Sequence, residues 1–565
     1  MLSEDQQLLS RIQDNMRYIV LAIIAVILFV LIICPLGAIF ATALFQDGKL
    51  NIAGAIDVVV QSENAQMIAN SLFLGALVVI VSTLIATPLA YLFSRTRFAK
   101  YKIFDIIFMI PFMTPPFIAS MGWILFMQKR GLLQQVFPMF KGSEDFFFSI
   151  AGLVIVMSLH SFPFMFTLLK NAMLNIPSSL EESAQVFGAG FGQRLRKIFF
   201  PLLTSNYAIG ALLIFVKTLS EYGTPATLGV RIGFDVFTTQ IHRYATVAPV
   251  HFGNAAALSS VLIGICVVMW LLQNYISNRK SYNLVSGKGS RFKFEELSKL
   301  ALVVAWIYII VTIFFSIIVP FFAIISTSLI NLRGLGLALG NFTFQHYIDL
   351  FTSNSKGIGA IINSLILAVA AASICAVLGT IIVVVIRKIR PKALGTLTEG
   401  VSLLPSFLPS IVMVLGIMIF WNALYDVAPL YNTLGILVLA YVVLYLPYTI
   451  QYVTSAAGQI SDSLQDAARV FGAKPLYILR RVVFPLIKPG ILTAWIMTFI
   501  ISFRELVTAS LIAPPNVLVV STFIVREFEQ GSVSVGMAMA VICVAFTTIS
   551  LTLLNKAVDK QKVAD

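Results

Sequence analysis

Twelve stretches of this chain are each apolar enough and long enough, as helix, to cross a bilayer, and that pattern decides the solvent before any other question. A hydrocarbon core about 30 Å thick takes roughly 20 helical residues. Runs of that length lie near 18–44, 70–94, 104–127, 149–170, 205–224 and 254–276, and again near 300–325, 360–386, 398–423, 433–456, 490–512 and 533–555. Of 565 residues, 59% are hydrophobic and 11% charged, against about 25% charged in an ordinary soluble domain. No soluble core of this size hides so much apolar surface. The predicted fold class is therefore all-α integral membrane with about 12 transmembrane helices, because lipid offers no partner to an unpaired backbone group. The long first run, preceded by Glu4, Asp5 and Asp14, reads as a retained anchor rather than a cleaved signal.

The formal charge of +14 does not point to nucleic acid. The basic residues are separated by long apolar runs, and no basic face with interleaved aromatics appears. Their positions instead orient the chain. With the N-terminus inside, the inner segments hold 28 of the 39 Lys and Arg residues, the outer loops nine, and two (Lys217 and Arg504) fall within runs. Cytoplasmic loops carry the excess of Lys and Arg, so both termini are expected in the cytoplasm. Cys34, Cys266, Cys375 and Cys543 stand alone in apolar runs and read as small core residues. His160, His242, His251 and His346 show no ligand spacing, and no metal is assigned.

The chain repeats itself. Residues 180–202 and 464–486 align at an offset of 284 with 11 of 23 positions identical. Pro163 pairs with Pro447 at that offset, Asn70-Ser71-Leu72 recurs as Asn363-Ser364-Leu365, and Pro111, Pro115 and Gly122 recur as Pro405, Pro409 and Gly416. An even number of spans per copy makes the repeats parallel, which sets a pseudo-two-fold axis along the membrane normal and a pathway at the interface. The expected organisation is a first half over 1–276, a basic linker over 277–299, and a second half over 300–565.

Two inner loops, 178–202 and 462–488, are too polar to span and too regular to be slack. Each reads as helix, glycine break, basic helix. In the first, Ser178 or Ser179 can cap a helix whose first turn holds Glu181 and Glu182. Gly188 permits a sharp turn, and a helix with Arg194, Arg196 and Lys197 is expected to stop at Pro201. Asp466, Gly472, Arg480, Arg481 and Pro485 hold these places in the second copy. A short helix presented twice to the cytoplasm is a docking surface.

Charge within a span marks a functional candidate, since its burial costs about 2.5 kcal/mol or more. Lys217 and Glu221 are four apart and are expected to share a helical face, where they could neutralise each other. Glu221 aligns with Glu505 and Thr224 with Thr508, and Arg504 adjoins the second carboxylate. These six residues are candidates either for a gated translocation path or for structural ion pairing between spans. The prolines at 111, 115, 116, 405 and 409 are expected to bend their helices.

With these residues in view, the chain is similar to the permeases of binding-protein-dependent ABC importers. That family's loop signature is matched by Glu182, Ser183, Ala184, Gly188, Ile198, Phe200 and Pro201. It is matched again by Asp466, Ala467, Ala468, Gly472, Val482, Phe484 and Pro485, with mild departures at Ser183, Asp466, Val482 and both Phe positions. The resemblance implies a type I importer fold in a bacterial inner membrane. It implies coupling loops, carried here by Glu182, Ala184, Gly188, Asp466, Ala468 and Gly472, seated on two copies of a nucleotide-binding ATPase subunit. It further implies an extracytoplasmic substrate-binding protein that delivers cargo, and ATP-Mg bound by the partner subunits rather than by this chain. Closure of the ATPases would tip the halves from inward-facing to outward-facing.

The chain carries no GxxxxGK[ST] phosphate loop: Gly287-Lys288-Gly289-Ser290 lacks the upstream glycine and strand. No soluble stretch is long enough for a nucleotide-binding domain, so no cofactor and no catalytic residue is expected. Phe503-Arg504-Glu505-Leu506 with Thr508-Ala509-Ser510-Leu511, and the fusion of two halves, resemble the ferric-iron branch. Glu221-Tyr222-Gly223-Thr224-Pro225 is shared with polyamine and phosphonate permeases, so aminoethylphosphonate, polyamine or sugar phosphate stay as alternatives to ferric iron. A secondary transporter could also have twelve spans in two parallel halves, but it would have no use for duplicated docking loops. A membrane enzyme would need a nucleophile or metal cluster beside its carboxylates, and the sequence supplies neither.

Overall fold

In the computed structural model the described residues are 18–46, 48–279, 294–352, 356–387 and 392–564. The acidic residues ahead of the first span, residues 280–293 of the linker and its Gly287–Ser290 stretch lie outside them. Among the described residues ten helices are long and apolar enough to span: Tyr18–Leu44, Ser62–Arg95, Ile150–Leu174, Phe191–Ser220, Phe252–Ser277, Lys299–Leu329, Lys356–Ile386, Leu434–Gly458, Pro475–Phe503 and Val533–Leu553. Two bent pairs, Ile103–Met113 with Pro116–Val136 and Lys392–Phe407 with Ser410–Ala423, bring the total to twelve when each counts as one span. In chain order these are spans 1 to 12, with the bent pairs as spans 3 and 9.

Proline explains both the breaks and the irregular turns. Span 3 bends by 88° and span 9 by 109°. Each break falls where a residue precedes proline: Thr114 (φ −78°, ψ 134°) before Pro115, and Leu408 (φ −106°, ψ 147°) before Pro409. The proline ring excludes its predecessor from helical angles. Elsewhere the helix absorbs the ring. Four of the five turns with wider hydrogen-bond spacing among the described residues, Phe29–Ile33, Leu195–Phe199, Phe314–Ile318 and Leu479–Val483, stand two residues ahead of a proline (Pro35, Pro201, Pro320 and Pro485), and the fifth, Pro225–Gly229, opens on one. Phe200, for example, donates its N–H to the Leu195 carbonyl. The wider turn moves the ring off the carbonyl four residues back, which eases the clash that otherwise breaks a helix at proline. This overturns the expectation that the basic helix ends at Pro201: it runs unbroken from Phe191 to Ser220.

The duplication is visible in hydrogen bonds far apart in sequence. Asn70 donates to the Asp235 carbonyl at 3.1 Å and Ser71 accepts from the Phe237 N–H at 2.8 Å. Asn363 and Ser364 do the same to Leu518 (2.9 Å) and Val520 (2.8 Å). The repeated Asn-Ser pair thus fastens the same short helix, Phe237–Thr246 or Val520–Glu529, to span 2 or span 8.

The apolar cores cross between the halves. Phe93, Phe108 and Phe162 of spans 2 to 4 pack in one cluster with Ile309 and Ala323 of span 7 and Met537 of span 12. Leu367, Ile411 and Tyr441 of spans 8 to 10 pack with Ile24 and Ile39 of span 1 and Leu262 of span 6. The first span of each half therefore wraps onto the other. Glycine makes this crossing close: a Cβ on Gly122 would meet the Pro320 carbonyl oxygen at 2.6 Å, and one on Gly416 the Pro35 carbonyl oxygen at 2.6 Å. Small residues let spanning helices gain dispersion contact where lipid offers no hydrophobic drive.

Candidate coupling elbows and translocation path

Both elbows are built by one local motif. The first comprises the helix Ser178–Val186, a turn, and the helix that opens at Phe191; the second comprises Asp462–Val470 and a helix opening at Pro475. Gly188 and Gly472 both adopt φ +79°, a left-handed conformation that glycine enters without a Cβ penalty. Ala189 N–H donates to the Ala184 carbonyl at 2.9 Å, and Gly188 N–H to that of Gln185 at 2.9 Å. Ala473 and Gly472 repeat this on Ala468 (3.0 Å) and Arg469 (2.9 Å). This is the Schellman closure of a helix C-terminus, and it gives Ala184, Gly188, Ala468 and Gly472 a common geometric job. Glu182 and Asp466 sit exposed on the outer side of the two helices. Neither helix is capped by a serine side chain: the first begins at Ser178 itself, behind Pro177.

The turn thrusts an apolar pair outward. Val186 and Phe187 are 84% and 90% exposed, Val470 and Phe471 84% and 91%. These four do not stand out along the chain as functional candidates, although Val-Phe-Gly-Ala is the longest identical run of the duplicated loop. A lone exposed apolar side chain needs no explanation, but two matched pairs raised on rigid turns form patches of the kind that mark interaction sites.

Behind the tips the elbows differ. Glu181 is buried, 3.0 Å from Arg95 and 3.9 Å from Arg194. Burial holds its carboxyl above the usual carboxylate range, against the pull of the two arginines. Arg95 also donates to the Met173 and Ile176 carbonyls at the end of span 4, the second at 2.9 Å. In the second elbow Gln465 stands for Glu181 and Ile478 for Arg194. Its described ion pair is Arg469–Asp466 at 2.9 Å, with both side chains more than half exposed.

The six path candidates are placed as follows. Span 5 ends at Ser220, and Glu221 is extended (φ −77°, ψ 131°), so it does not share a helical face with Lys217. Its carboxylate accepts the Thr224 N–H at 3.0 and 3.1 Å. No ion pair within 4.0 Å joins it to Lys217 among the described residues. Glu505 likewise accepts the Thr508 N–H at 2.9 Å. The backbone carbonyls of the two glutamates take the hydroxyls of Thr238 and Ser521, respectively. Both carboxylates therefore close the first turn of a following helical segment, the work of an N-cap.

The cations do otherwise. Lys217 Nζ lies 4.2 Å from the ring centres of both Phe112 and Phe164, and Arg504 donates to the Met113 carbonyl. One cation from each half thus converges on adjacent residues at the break of span 3. Beside them a cavity of about 10 Å³, room for a single water, is lined by His160, Ser161, Lys217, Thr218 and Glu221 among others. Cation–π contact supplies part of what burial withdraws from Lys217.

A duplicated six-span unit with paired loop motifs can be compared with known families. The family described as binding-protein-dependent transport system inner membrane component matches twice, over residues 86–282 and 388–563. The chain belongs to that family. Both matches contain an elbow and the carboxylate that follows it. Among curated relatives, the ferric transport system permease protein FbpB of Actinobacillus pleuropneumoniae is 27% identical over 538 residues, covering 92% of this chain and 76% of the relative. An Fe(3+)-transport system permease protein of Haemophilus influenzae is 23% identical over 543 residues, 94% of this chain and 97% of the relative. PhnV of Salmonella typhimurium, provisionally named a 2-aminoethylphosphonate transport system permease, is 27% identical over 236 residues, 41% of this chain and 86% of its own length. This is a multi-pass ABC importer permease in the fused two-half form, similar to ferric transport permeases along most of its length.

Proposed function

We propose that the chain forms the pathway of an ATP-driven importer of ferric iron, with both elbows and both termini in the cytoplasm. The observation that carries this reading is the pair of exposed Val-Phe tips, raised by identical Schellman turns on a chain whose sequence has no phosphate loop. Phe187 and Phe471 gain roughly 1.5–3 kcal/mol each when a partner groove covers them. Two copies of a nucleotide-binding subunit supply such grooves, bind ATP-Mg, and drive the halves from inward-facing to outward-facing. A binding protein outside the membrane delivers the cargo. Glu182, Ala184, Gly188, Asp466, Ala468 and Gly472 shape the docking elbows. Lys217, Glu221, Thr224, Arg504, Glu505 and Thr508 line or brace the path. Iron is favoured by the full-length likeness to ferric permeases.

A second reading, a phosphonate cargo, is favoured by one observation. Among the six path residues the charges free of capping duty are cations, Lys217 and Arg504, which suit an anion, and a phosphonate permease is among the half-length relatives. Proteoliposomes holding the chain with its ATPase, and supplied with its binding protein and ATP, decide between them. Accumulation of labelled iron is the expected result; uptake of aminoethylphosphonate in its place transfers the chain to the second reading.

A further inference from the structure

The linker that joins the halves does not leave the first elbow alone. Residues Phe294–Glu296, immediately ahead of span 7, lie along the end of span 2: Glu295 N–H donates to the Arg95 carbonyl at 2.9 Å, in a parallel bridge with Thr96. Glu295 then reaches into the elbow. Its carboxylate takes one bond from Arg194 at 2.6 Å and another from the Tyr91 hydroxyl. Arg194 is buried and also faces Glu181 on the elbow helix. Outside this knot, Arg97 pairs with Glu296 at 2.5 Å, and Lys100 Nζ lies 5.6 Å over the Phe294 ring.

We propose that Glu295 is a positioning residue for coupling, one that ties the first elbow to the ends of spans 2 and 7 so that the three move as one body. The proposal rests on the reading of the elbows as ATPase docking sites. Its physical basis is the length of the lever. Span 7 opens at Lys299, four residues beyond Glu295, and runs to Pro320, where it crosses Gly122 of the other half at backbone contact. A push on the Val186-Phe187 tip is therefore delivered through Glu181, Arg194 and Glu295 to a helix that begins the second half but packs in the first core. Among the described residues the second elbow has no such strap. Its counterparts of Glu181 and Arg194 are Gln465 and Ile478. A stroke there reaches its own half through spans 10 and 11. Two copies of one ATPase subunit thus meet two unlike linkages, and the first elbow is the one that moves both halves.

The test uses the complete transporter in proteoliposomes, measuring cargo taken up per ATP hydrolysed. Glu295→Gln keeps the shape and an acceptor for Tyr91 but removes the charge facing Arg194. It is expected to lower uptake about 5-fold, with ATP hydrolysis within about 2-fold of the parent and both ATPase subunits still bound. Glu295→Asp, which keeps the charge facing Arg194, is expected to recover most of the ratio. An unchanged uptake-to-hydrolysis ratio in Glu295→Gln overturns the proposal. So does a Glu295→Asp ratio no better than that of Glu295→Gln in a protein that elutes as a single folded species. The underlying reading fails separately, through Phe187→Ala with Phe471→Ala: if the ATPase subunits stay bound to that variant, the tips are not the docking surface, whatever Glu295 does.

Discussion

The two elbows share a backbone and differ in what holds it. Their turns superpose bond for bond, from the +79° glycine to the 2.9 and 3.0 Å closures on Ala184 and Ala468, and their tips are exposed to within one per cent of each other. Behind the first tip stand Glu181, Arg95, Arg194 and Glu295; behind the second stand Gln465 and Ile478. The likeness lies at the exposed tips, and the difference lies on the side that faces the rest of the chain. A fused polypeptide has one linker, and one linker can brace only one of two equivalent sites.

The largest effect expected falls on what the elbows share. Gly188→Pro with Gly472→Pro asks for φ near −65° where the turn needs +79°. Uptake should fall below about one hundredth of the parent while membrane expression is retained; ATP-coupled uptake that persists breaks the docking role. The next effect should separate the elbows. Arg194→Met leaves the half-buried Glu295 with Tyr91 alone and Glu181 with Arg95 alone, and should cost about 1–3 kcal/mol, read as a lower Tm of the detergent-solubilised chain. Ile478→Met should cost less than about 1.5 kcal/mol. Equal losses would erase the distinction drawn here.

A third pair tests likeness deeper in the membrane. Gly122→Val and Gly416→Val each drive a side chain into a proline carbonyl at 2.6 Å and should each cost about 1–3 kcal/mol, visible as matched shifts in Tm. Milder still, Glu221→Gln and Glu505→Gln keep an acceptor for the Thr224 and Thr508 N–H groups. Stability should stay within about 1 kcal/mol, whereas uptake falls several-fold with the ATPase subunits still attached. Normal uptake would leave the two carboxylates as helix caps and nothing more. The smallest effect belongs to Asp466→Asn, which breaks the exposed Arg469 pair and should cost under about 0.5 kcal/mol; a larger loss would show that the second elbow has bracing of its own.

Particular residues show where reading along the chain reached its range. The spans, the glycine turns and the equivalence of Glu221 with Glu505 were legible because hydrophobic length, turn chemistry and repetition act between near neighbours. Lys217 with Glu221 was misjudged for the same reason: a spacing of four implies a shared face only while the helix continues, and it ends at Ser220. Pro201 was misjudged as a stop because the wider turn that accommodates it leaves no mark in composition. The exposed Val-Phe tips were present as identities, but exposure is a property of the folded loop.

The sequence by itself determined a lipid-embedded helical protein of two repeated halves with a matched pair of elbows, since those features follow from local patterns that occur twice along the chain. Only the tertiary structure decided that each half lends its first span to the other's core. It alone joined Glu295 to Arg194 across 101 residues and to Tyr91 across 204. Contacts of that separation depend on how long loops close, and a closed loop is a choice among many chain paths that no short stretch of residues encodes.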